Sequence, residues 1–391
     1  MEKTNGIQTE LEELRTFLKK TVQSKQVSGV SLLLVYKGQM VFKEAYGLAD
    51  IKEKKAFNTD TIVWIRSSSK PIVSTAIMTL VDEGKISLDE PVSKYLPGLG
   101  LLKVRGSGGM FTSPTMRQLL SHTSGLIAGN PPASTTASAI RIDMTLEESA
   151  NACLATELLW PPGRRFAYGA ASFQVAARVA EVISGNPFDF FLKERVLEPL
   201  EMKETGFRPD AALWPRFARV YDPELGGLKE TPGYWEPSQF SQVKLLYTSG
   251  GLYSTLSDLS KFLTMHLNGG KYNSKRIISV ATAAEMAKNQ TRDAELGFSP
   301  YPGKKDYGIG WIVDRMKNGK TLSISHGGQW GSIQWIDFDC DLYGVLFAPQ
   351  PLRSTEVPIA SEQLRGAHPI LHKPIRDKVL EIFPMMSSAA K

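Results

Sequence analysis

The stretch IRSSSKPIVSTAIMTLVDEG, residues 65–84, places three serines and a lysine directly before an apolar pattern. Proline lacks an N–H and fits only the first turn of a helix, so Pro71 predicts that a helix begins near Ser67. The pattern repeats every 3.6 residues and therefore favours a helix over residues 70–84. The residues on its apolar face are Ile72, Val73, Ala76, Ile77, Leu80 and Val81.

Helix geometry selects one of the three serines as a partner for Lys70. Residues three or four apart share a helix face, so Ser67 can meet Lys70, whereas Ser68 and Ser69 point elsewhere. A serine becomes a nucleophile when a base takes its proton, and the positive end of the helix dipole would lower the lysine pKa. At the start of the helix, the Ser67 N–H would also have no partner within the helix and would be available to an oxyanion. A simple helix cap with an exposed lysine remains the alternative, and Ser241-Gln-Val-Lys244 repeats the same spacing.

The segments around this helix predict an α/β fold. Residues 29–50 form two β-rich runs around Lys37-Gly38, the pattern of a hairpin. Four more β-type segments follow near the end of the chain, which suggests one antiparallel sheet built from both chain ends. They are YGIGWIVD (307–314), KTLSISHGG (320–328), GSIQWIDF (331–338) and DLYGVLFAPQ (341–350).

Helical patterns flank and interrupt this predicted sheet. Amphipathic helices are expected at about 8–25 and 374–384, and helices at 145–157 and 171–184 lie among Gly-, Ser- and Pro-rich loops. We therefore predict an α/β domain from residues 1–100 and 246–391, a helical domain from 101–245, and an active site in the cleft between them.

Composition narrows the class of protein. The 391 residues are 42% hydrophobic and carry a net charge of +6, with 46 basic residues scattered among 40 acidic ones. No nucleic-acid motif, apolar signal segment or membrane-spanning stretch is evident, so we expect a cytoplasmic protein without nucleic-acid or membrane partners.

The two cysteines, Cys153 and Cys340, lie outside any disulfide or zinc pattern and are expected to be free thiols.

The order of these motifs resembles the serine β-lactamase-like superfamily, which includes class C β-lactamases, DD-peptidases and family VIII carboxylesterases. The resemblance covers about residues 25–350. Its elements are Ser67-Ser-Ser-Lys70-Pro, LLSHTSGL (119–126), PGRRFAYGAASFQVAARVAEVISG (162–185), LEPLEMKETGF (197–207), SGGLYSTLSDLSKF (249–262) and SHGGQWGSIQWID (325–337).

This resemblance implies a β-lactamase-like fold and assigns the reactive groups. Ser67 would be the acylated nucleophile, Lys70 its base, and Tyr168 the tyrosine of the family's Y-x-N motif, which moves protons. Gly169 and Ala170 depart from that motif because they replace the Ser/Ala-Asn usual in β-lactamases. The missing asparagine amide would contact the acylamide of a β-lactam or peptide, so its loss favours esters.

The resemblance also implies a substrate-binding strand. His326, Gly327 and Gly328 match the family's third motif, and the N–H of Gln329 would join that of Ser67 as the second oxyanion donor. Trp330 is expected to line one side of an acyl pocket, and the same expectation has weaker support for Trp235. His122 in LLSHTSGL is not expected to act in a Ser-His-Asp triad, because the chain has no G-x-S-x-G elbow.

We therefore predict a serine hydrolase acting through an acyl-enzyme, most simply a carboxylesterase on short-chain esters, that requires no metal or organic cofactor. A weak β-lactamase, a D-amino-acid peptidase or amidase, and an acyltransferase remain alternatives on the same fold. A catalytically silent penicillin-binding sensor is the alternative from another class. The expected partner is a small ester or amide substrate, and the sequence leaves the oligomeric state open.

Overall fold

The centre of the structure is an antiparallel sheet that joins the two ends of the chain. The computed structural model describes residues 2–96, 98–126, 140–224, 227–231, 240, 243–299, 305–350 and 373–382. Seven strands lie in the order β14-β15-β16-β17-β1-β2-β3. Their bounds are β1 (Gly29–Tyr36), β2 (Gln39–Asp50), β3 (Lys55–Ala56), β14 (Ile312–Lys317), β15 (Lys320–Gly328), β16 (Ser332–Asp337) and β17 (Leu342–Phe347).

The pairing of β1 with β17 confirms the predicted sheet from both chain ends. Leu33 lies opposite Val345 in this antiparallel pair. The predicted hairpin is also present, and its turn residues Lys37 and Gly38 have φ values of 49° and 75°. Positive φ at both central positions is the geometry that suits a two-residue hairpin turn, and glycine adopts it without strain.

Helices cover both faces of the sheet. The helices with described bounds are α1 (Glu2–Gln23), α2 (Ser69–Asp82), α3 (Met116–Leu120), α4 (Leu146–Leu154), α5 (Ala171–Ser184), α6 (Phe188–Leu192), α7 (Leu256–Leu267), α8 (Val280–Ala287) and α9 (Lys373–Ile382). Leu32 and Leu34 of β1 pack in one core with α1 and α9, and Leu33 and Val35 pack in another with α2 and α7. All eight residues of β1 are therefore buried, because alternate side chains point to opposite faces.

The helix α2 is the central helix of the larger core. Every residue from Ser69 to Leu80 is buried, and α2 contacts α5, α6 and strand β15. This position explains why Ser74 and Thr75, which lie outside the predicted apolar face, are buried as well. The start of this helix lies where the sheet meets the helices.

Short strands supplement the helices outside the main sheet. The pairs are β4 (Val63–Trp64) with β10 (Tyr253–Ser254), β5 (Leu102–Lys103) with β6 (Met110–Phe111), β7 (Arg165–Ala167) with β13 (Glu295–Phe298), β8 (Tyr221–Glu224) with β9 (Gly227–Glu230), and β11 (Lys271–Tyr272) with β12 (Lys275–Arg276). The β7–β13 pair is parallel. The division into two domains remains a prediction.

One predicted strand begins later in the chain than the sequence pattern indicates. The segment YGIGWIVD was expected to be extended from Tyr307, but β14 begins only at Ile312. The cause is a tight loop in which Gly308 N–H donates to the Trp311 carbonyl and Gly310 adopts a φ of +76°. Gly310 there lies against α2, where an added Cβ would come within 2.3 Å of Ser74 Oγ.

Two expectations from composition can be compared with the described residues. No helix among them combines the length and apolarity that crossing a bilayer requires. Both cysteines are free thiols, and burial raises the pKa of each to about 12.

Candidate active site

The site is organised by a tight turn at the start of α2. Residues Arg66–Ser68 form a single 3-10 turn that leads directly into the helix, so the predicted helix start near Ser67 is confirmed. Arg66 has a φ of +49°, a conformation that costs a non-glycine residue free energy and is found more often at functional sites. The turn is held from outside by the Ile65 N–H, which donates to the Leu252 carbonyl at 2.9 Å.

Lys70 lies where a base for Ser67 is needed. Its Nζ is 3.2 Å from Ser67 Oγ and donates a 2.8 Å hydrogen bond to the Ser249 carbonyl. Lys70 is only 2% exposed. Burial and, to a smaller extent, the neighbouring Arg66 charge hold its pKa well below the ordinary value of 10.5. Both causes favour the neutral amine, whose lone pair can accept the Ser67 proton.

The other two serines make structural contacts, as the helix period predicted. Ser68 Oγ donates to the His326 carbonyl at 3.0 Å, which ties the turn to β15. Ser69 Oγ accepts from the Leu252 N–H at 3.2 Å. Ser67 is the serine of the three whose hydroxyl faces Lys70.

Tyr168 lies beside the same lysine. It follows β7 directly and precedes α5, and the Lys70 Nζ lies 4.6 Å from the centroid of its ring. Its hydroxyl oxygen is buried. The ring of Phe173 covers the lysine from another side at 5.4 Å, so aromatic faces contribute to the burial of Lys70.

The end of β15 packs against the serine turn. An added Cβ on Gly328 would come within 2.0 Å of the Ile65 carbonyl oxygen, so only glycine allows this approach. Gln329 follows as an exposed residue between buried neighbours. The packing brings the chain just before Ser67 next to the chain just before Gln329, an arrangement suited to a shared oxyanion site. The paired N–H donors themselves remain a prediction.

His326, which the resemblance assigns to the substrate-binding strand, is held inside the protein. It is fully buried, and the Tyr307 hydroxyl lies 2.9 Å from its Nε2 while the Gly327 carbonyl lies 2.9 Å from its Nδ1. A carbonyl can only accept, so Nδ1 carries the proton and Nε2 accepts from Tyr307. Both ring nitrogens are therefore engaged within the protein, and a direct contact with substrate remains a prediction.

Trp330 forms one wall next to the serine turn. It is 6% exposed, and the Arg66 guanidinium carbon lies 4.4 Å from the centroid of its ring. The same guanidinium lies 5.7 Å from the ring of Tyr247. Contacts of this kind between a cation and aromatic faces fix both partners. Trp235 and Ser241, which the sequence also singled out, lie outside the described residues.

Sequence reasoning missed several groups that shape the site. The Ser249 carbonyl binds Lys70, the Arg66 charge acts on its pKa, and Tyr307 binds His326. Ser249 lies within the quoted SGGLYS motif and Arg66 directly precedes the nucleophile, so position gave a weak signal for both. Tyr307 gave none, because we assigned it to a strand.

The lowered pKa of Lys70 predicts the pH dependence of turnover. Lysine acts as a base only when neutral, so kcat/KM for an ester should rise with pH around a midpoint well below 10.5. The measurement is kcat/KM for 4-nitrophenyl acetate from about pH 5 to pH 10, corrected for spontaneous hydrolysis. Arg66→Asn tolerates a positive φ and removes a charge that lowers this pKa, so it should move the midpoint upward. A wild-type midpoint near 10.5 would contradict the assignment.

Comparison with known proteins adds the family context. The sequence model of the Beta-lactamase family matches residues 14–365. Penicillin-binding protein 4 of Amycolatopsis lactamdurans is 31% identical over 236 residues, which are 59% of this chain and 58% of that protein. The matched part therefore spans less than two thirds of that relative.

A second relative and a solved structure extend the match along the chain. The D-alanyl-D-alanine-carboxypeptidase/endopeptidase AmpH of Escherichia coli K12 is 25% identical over 312 residues, 79% of this chain and 75% of that protein. The solved structure of EstCE1, described as a hydrolase with promiscuous acyltransferase activity, superposes with a TM-score of 0.75 at 21% identity. The superposition covers 90% of this chain and 96% of the EstCE1 chain, which shows that the two proteins share a fold.

Proposed function

The chain belongs to the Beta-lactamase family, and from this premise we propose that it is a serine hydrolase that cleaves short-chain carboxylic esters through an acyl-enzyme. The observation that carries the proposal is the buried Lys70 amine, 3.2 Å from Ser67 Oγ and with a strongly lowered pKa. A neutral amine at this distance is a competent general base for a serine hydroxyl.

The proposed reaction has two halves. Ser67 Oγ attacks the ester carbonyl while Lys70 Nζ takes the hydroxyl proton, and the negative charge on the carbonyl oxygen is held by the Ser67 and Gln329 N–H groups. The C–O bond to the alcohol then breaks, and the alcohol leaves with a proton delivered through Lys70 and Tyr168. Water repeats the sequence on the acyl-enzyme, which releases the acid and restores Ser67.

The residues after Tyr168 support esters over amides. Ala170 is a buried methyl group, and the Gly169 N–H already donates to His122 Nδ1. Neither residue offers a side-chain donor to the acylamide of a peptide or a β-lactam. An ester needs no such contact and has a better leaving group, so its hydrolysis depends less on the missing amide.

The acyl side of the site supports small substrates. Trp330 is nearly buried and is held by the Arg66 guanidinium. A bulky ring fixed beside the nucleophile would restrict the length of the acyl chain. Acetate and butyrate esters are therefore the proposed substrate class.

A substrate panel tests the proposed specificity. Stopped-flow turnover of 4-nitrophenyl acetate and butyrate should exceed that of a chromogenic cephalosporin by at least about 100-fold in kcat/KM. An added alcohol distinguishes transfer from hydrolysis through the ester it forms. Faster cephalosporin hydrolysis would identify a β-lactamase, and a stable adduct without turnover would identify a sensor, so either result would contradict the esterase proposal.

Tyr168→Phe tests the proton relay. The variant keeps the ring that covers Lys70 and removes only the hydroxyl, so it should fold normally and lose roughly 100- to 1000-fold in kcat. Turnover and thermal unfolding are measured together, with Tyr272→Phe in β11 as a control outside the site. Wild-type kcat in Tyr168→Phe would remove this residue from the mechanism.

A further inference from the structure

The backbone around Tyr168 is held by three consecutive N–H groups. The N–H of Ala167 donates to the His122 carbonyl at 2.8 Å, and that of Tyr168 donates to the Phe298 carbonyl at 3.0 Å. The N–H of Gly169 donates to His122 Nδ1 at 3.2 Å. One residue, His122, thus binds the chain on both sides of the tyrosine.

The ring of His122 is enclosed by other aromatic rings. It is fully buried, and its centroid lies 4.5 Å from the ring of Tyr168, 4.9 Å from that of Tyr307 and 5.3 Å from that of Phe173. His122 also adopts a φ of +59°. A non-glycine residue keeps this conformation only where the surrounding structure enforces it, and such residues are concentrated at functional sites.

The His122 ring is held in its neutral form. Burial, together with the neighbouring Lys70 and His326, holds its pKa well below the ordinary value of 6.5. The ring is therefore neutral, and a neutral imidazole has one acceptor nitrogen and one N–H donor. Because Nδ1 accepts from Gly169, the proton resides on Nε2.

We propose that His122 is a positioning residue for Tyr168, which it aligns with Lys70 by binding the backbone N–H groups of Ala167 and Gly169. This inference rests on the proposed function, since it assigns His122 a role through the tyrosine. His122 itself neither attacks the substrate nor moves a proton.

Substitutions that retain or remove the acceptor test the proposal. Asparagine tolerates a positive φ and offers a side-chain oxygen near the place of Nδ1, so His122→Asn should keep most of kcat. Glycine tolerates the same φ but offers no acceptor, so His122→Gly should lose on the order of 10- to 100-fold in kcat, with a smaller change in KM. His266→Asn, at another buried histidine, controls for general destabilisation.

A double-mutant cycle separates positioning from a merely structural effect. If His122 acts through Tyr168, His122→Gly should cause little further loss of kcat in the Tyr168→Phe background. The same fold-loss in both backgrounds would overturn the inference and leave the hydrolase proposal intact. A normal kcat in Tyr168→Phe alone would instead remove the tyrosine mechanism on which the inference rests.

The wild-type protein provides a test that requires no folded variant. The ¹⁵N resonances of the His122 imidazole at neutral pH should show an unprotonated Nδ1 and a protonated Nε2. A proton on Nδ1 would exclude the bond from Gly169 and overturn the inference whatever the activity of the enzyme.

Discussion

Ser67→Ala should reduce ester turnover by roughly 10⁵-fold, to the background rate of the buffer. The reason is that this change removes the atom that forms the covalent bond, whereas Lys70 and Tyr168 act only on its protons. Initial rates with 4-nitrophenyl acetate measure the loss, and thermal unfolding establishes that the variant is folded. Because Ser67 lies at the partly exposed edge of the turn, its removal should change stability little.

The second S-x-x-K sequence provides a matched control for this variant. Ser241 precedes Lys244 by the same three residues, so Ser241→Ala makes the same chemical change in the same local spacing. We expect its kcat to equal that of the wild type. Turnover that survives in Ser67→Ala, or that is lost in Ser241→Ala, would show that the nucleophile has been misassigned.

Lys70→Met should lower kcat by roughly 10⁴-fold, because the serine then has no base in either half of the reaction. Methionine fills a similar volume and carries no charge, so the apolar surroundings accept it. The control is Lys244→Met, since Lys244 is exposed and its charge is expected to be dispensable. A Lys70→Met variant with more than about a tenth of wild-type kcat would contradict the role of the lysine.

The same substitution should alter stability in a pH-dependent way. An unfolded lysine is protonated below about 10.5, but folding holds the pKa of Lys70 far below this value. As pH falls through 10.5, the unfolded wild type therefore gains a proton that the folded wild type does not bind, and its stability drops. The free energy of unfolding of Lys70→Met relative to wild type should thus rise from high pH toward neutral pH. A difference that is constant with pH would contradict the lowered pKa.

The parts of the site that follow from local geometry could be predicted from sequence. The 3.6-residue period and Pro71 place Ser67 and Lys70 on one helix face, and the structure has their polar atoms 3.2 Å apart. The hairpin at Lys37-Gly38 is local in the same sense. Local geometry did not indicate that β15 would approach the serine turn, because that inference required the resemblance to a family.

The parts that depend on distant pairings could not be predicted. The Ser249 carbonyl that binds Lys70 is 179 residues away in the chain. The depressed pKa of the lysine arises mainly from burial, to which the rings of Tyr168 and Phe173 contribute, and no local pattern reveals these contacts. The sequence places His122 in no triad, and only the folded chain shows that its carbonyl and its ring bind the backbone on either side of the tyrosine.

The late start of β14 also depends on a contact between distant residues. Tyr307 through Trp311 is apolar enough to read as a strand, but Gly310 must turn to pass α2. The Tyr307 hydroxyl, at the start of this loop, lies 2.9 Å from His326 Nε2. A tertiary contact overrode the local β propensity.

The acyl-enzyme itself provides the most direct test of the central claim. Wild-type protein is mixed with excess 4-nitrophenyl butyrate, quenched in acid during the first turnovers and digested for mass spectrometry. We predict a butyryl group on the peptide that contains Ser67, formed with the burst of 4-nitrophenol and absent from Ser67→Ala. Ester turnover without this adduct, or with the butyryl group on another residue, would contradict the proposed mechanism.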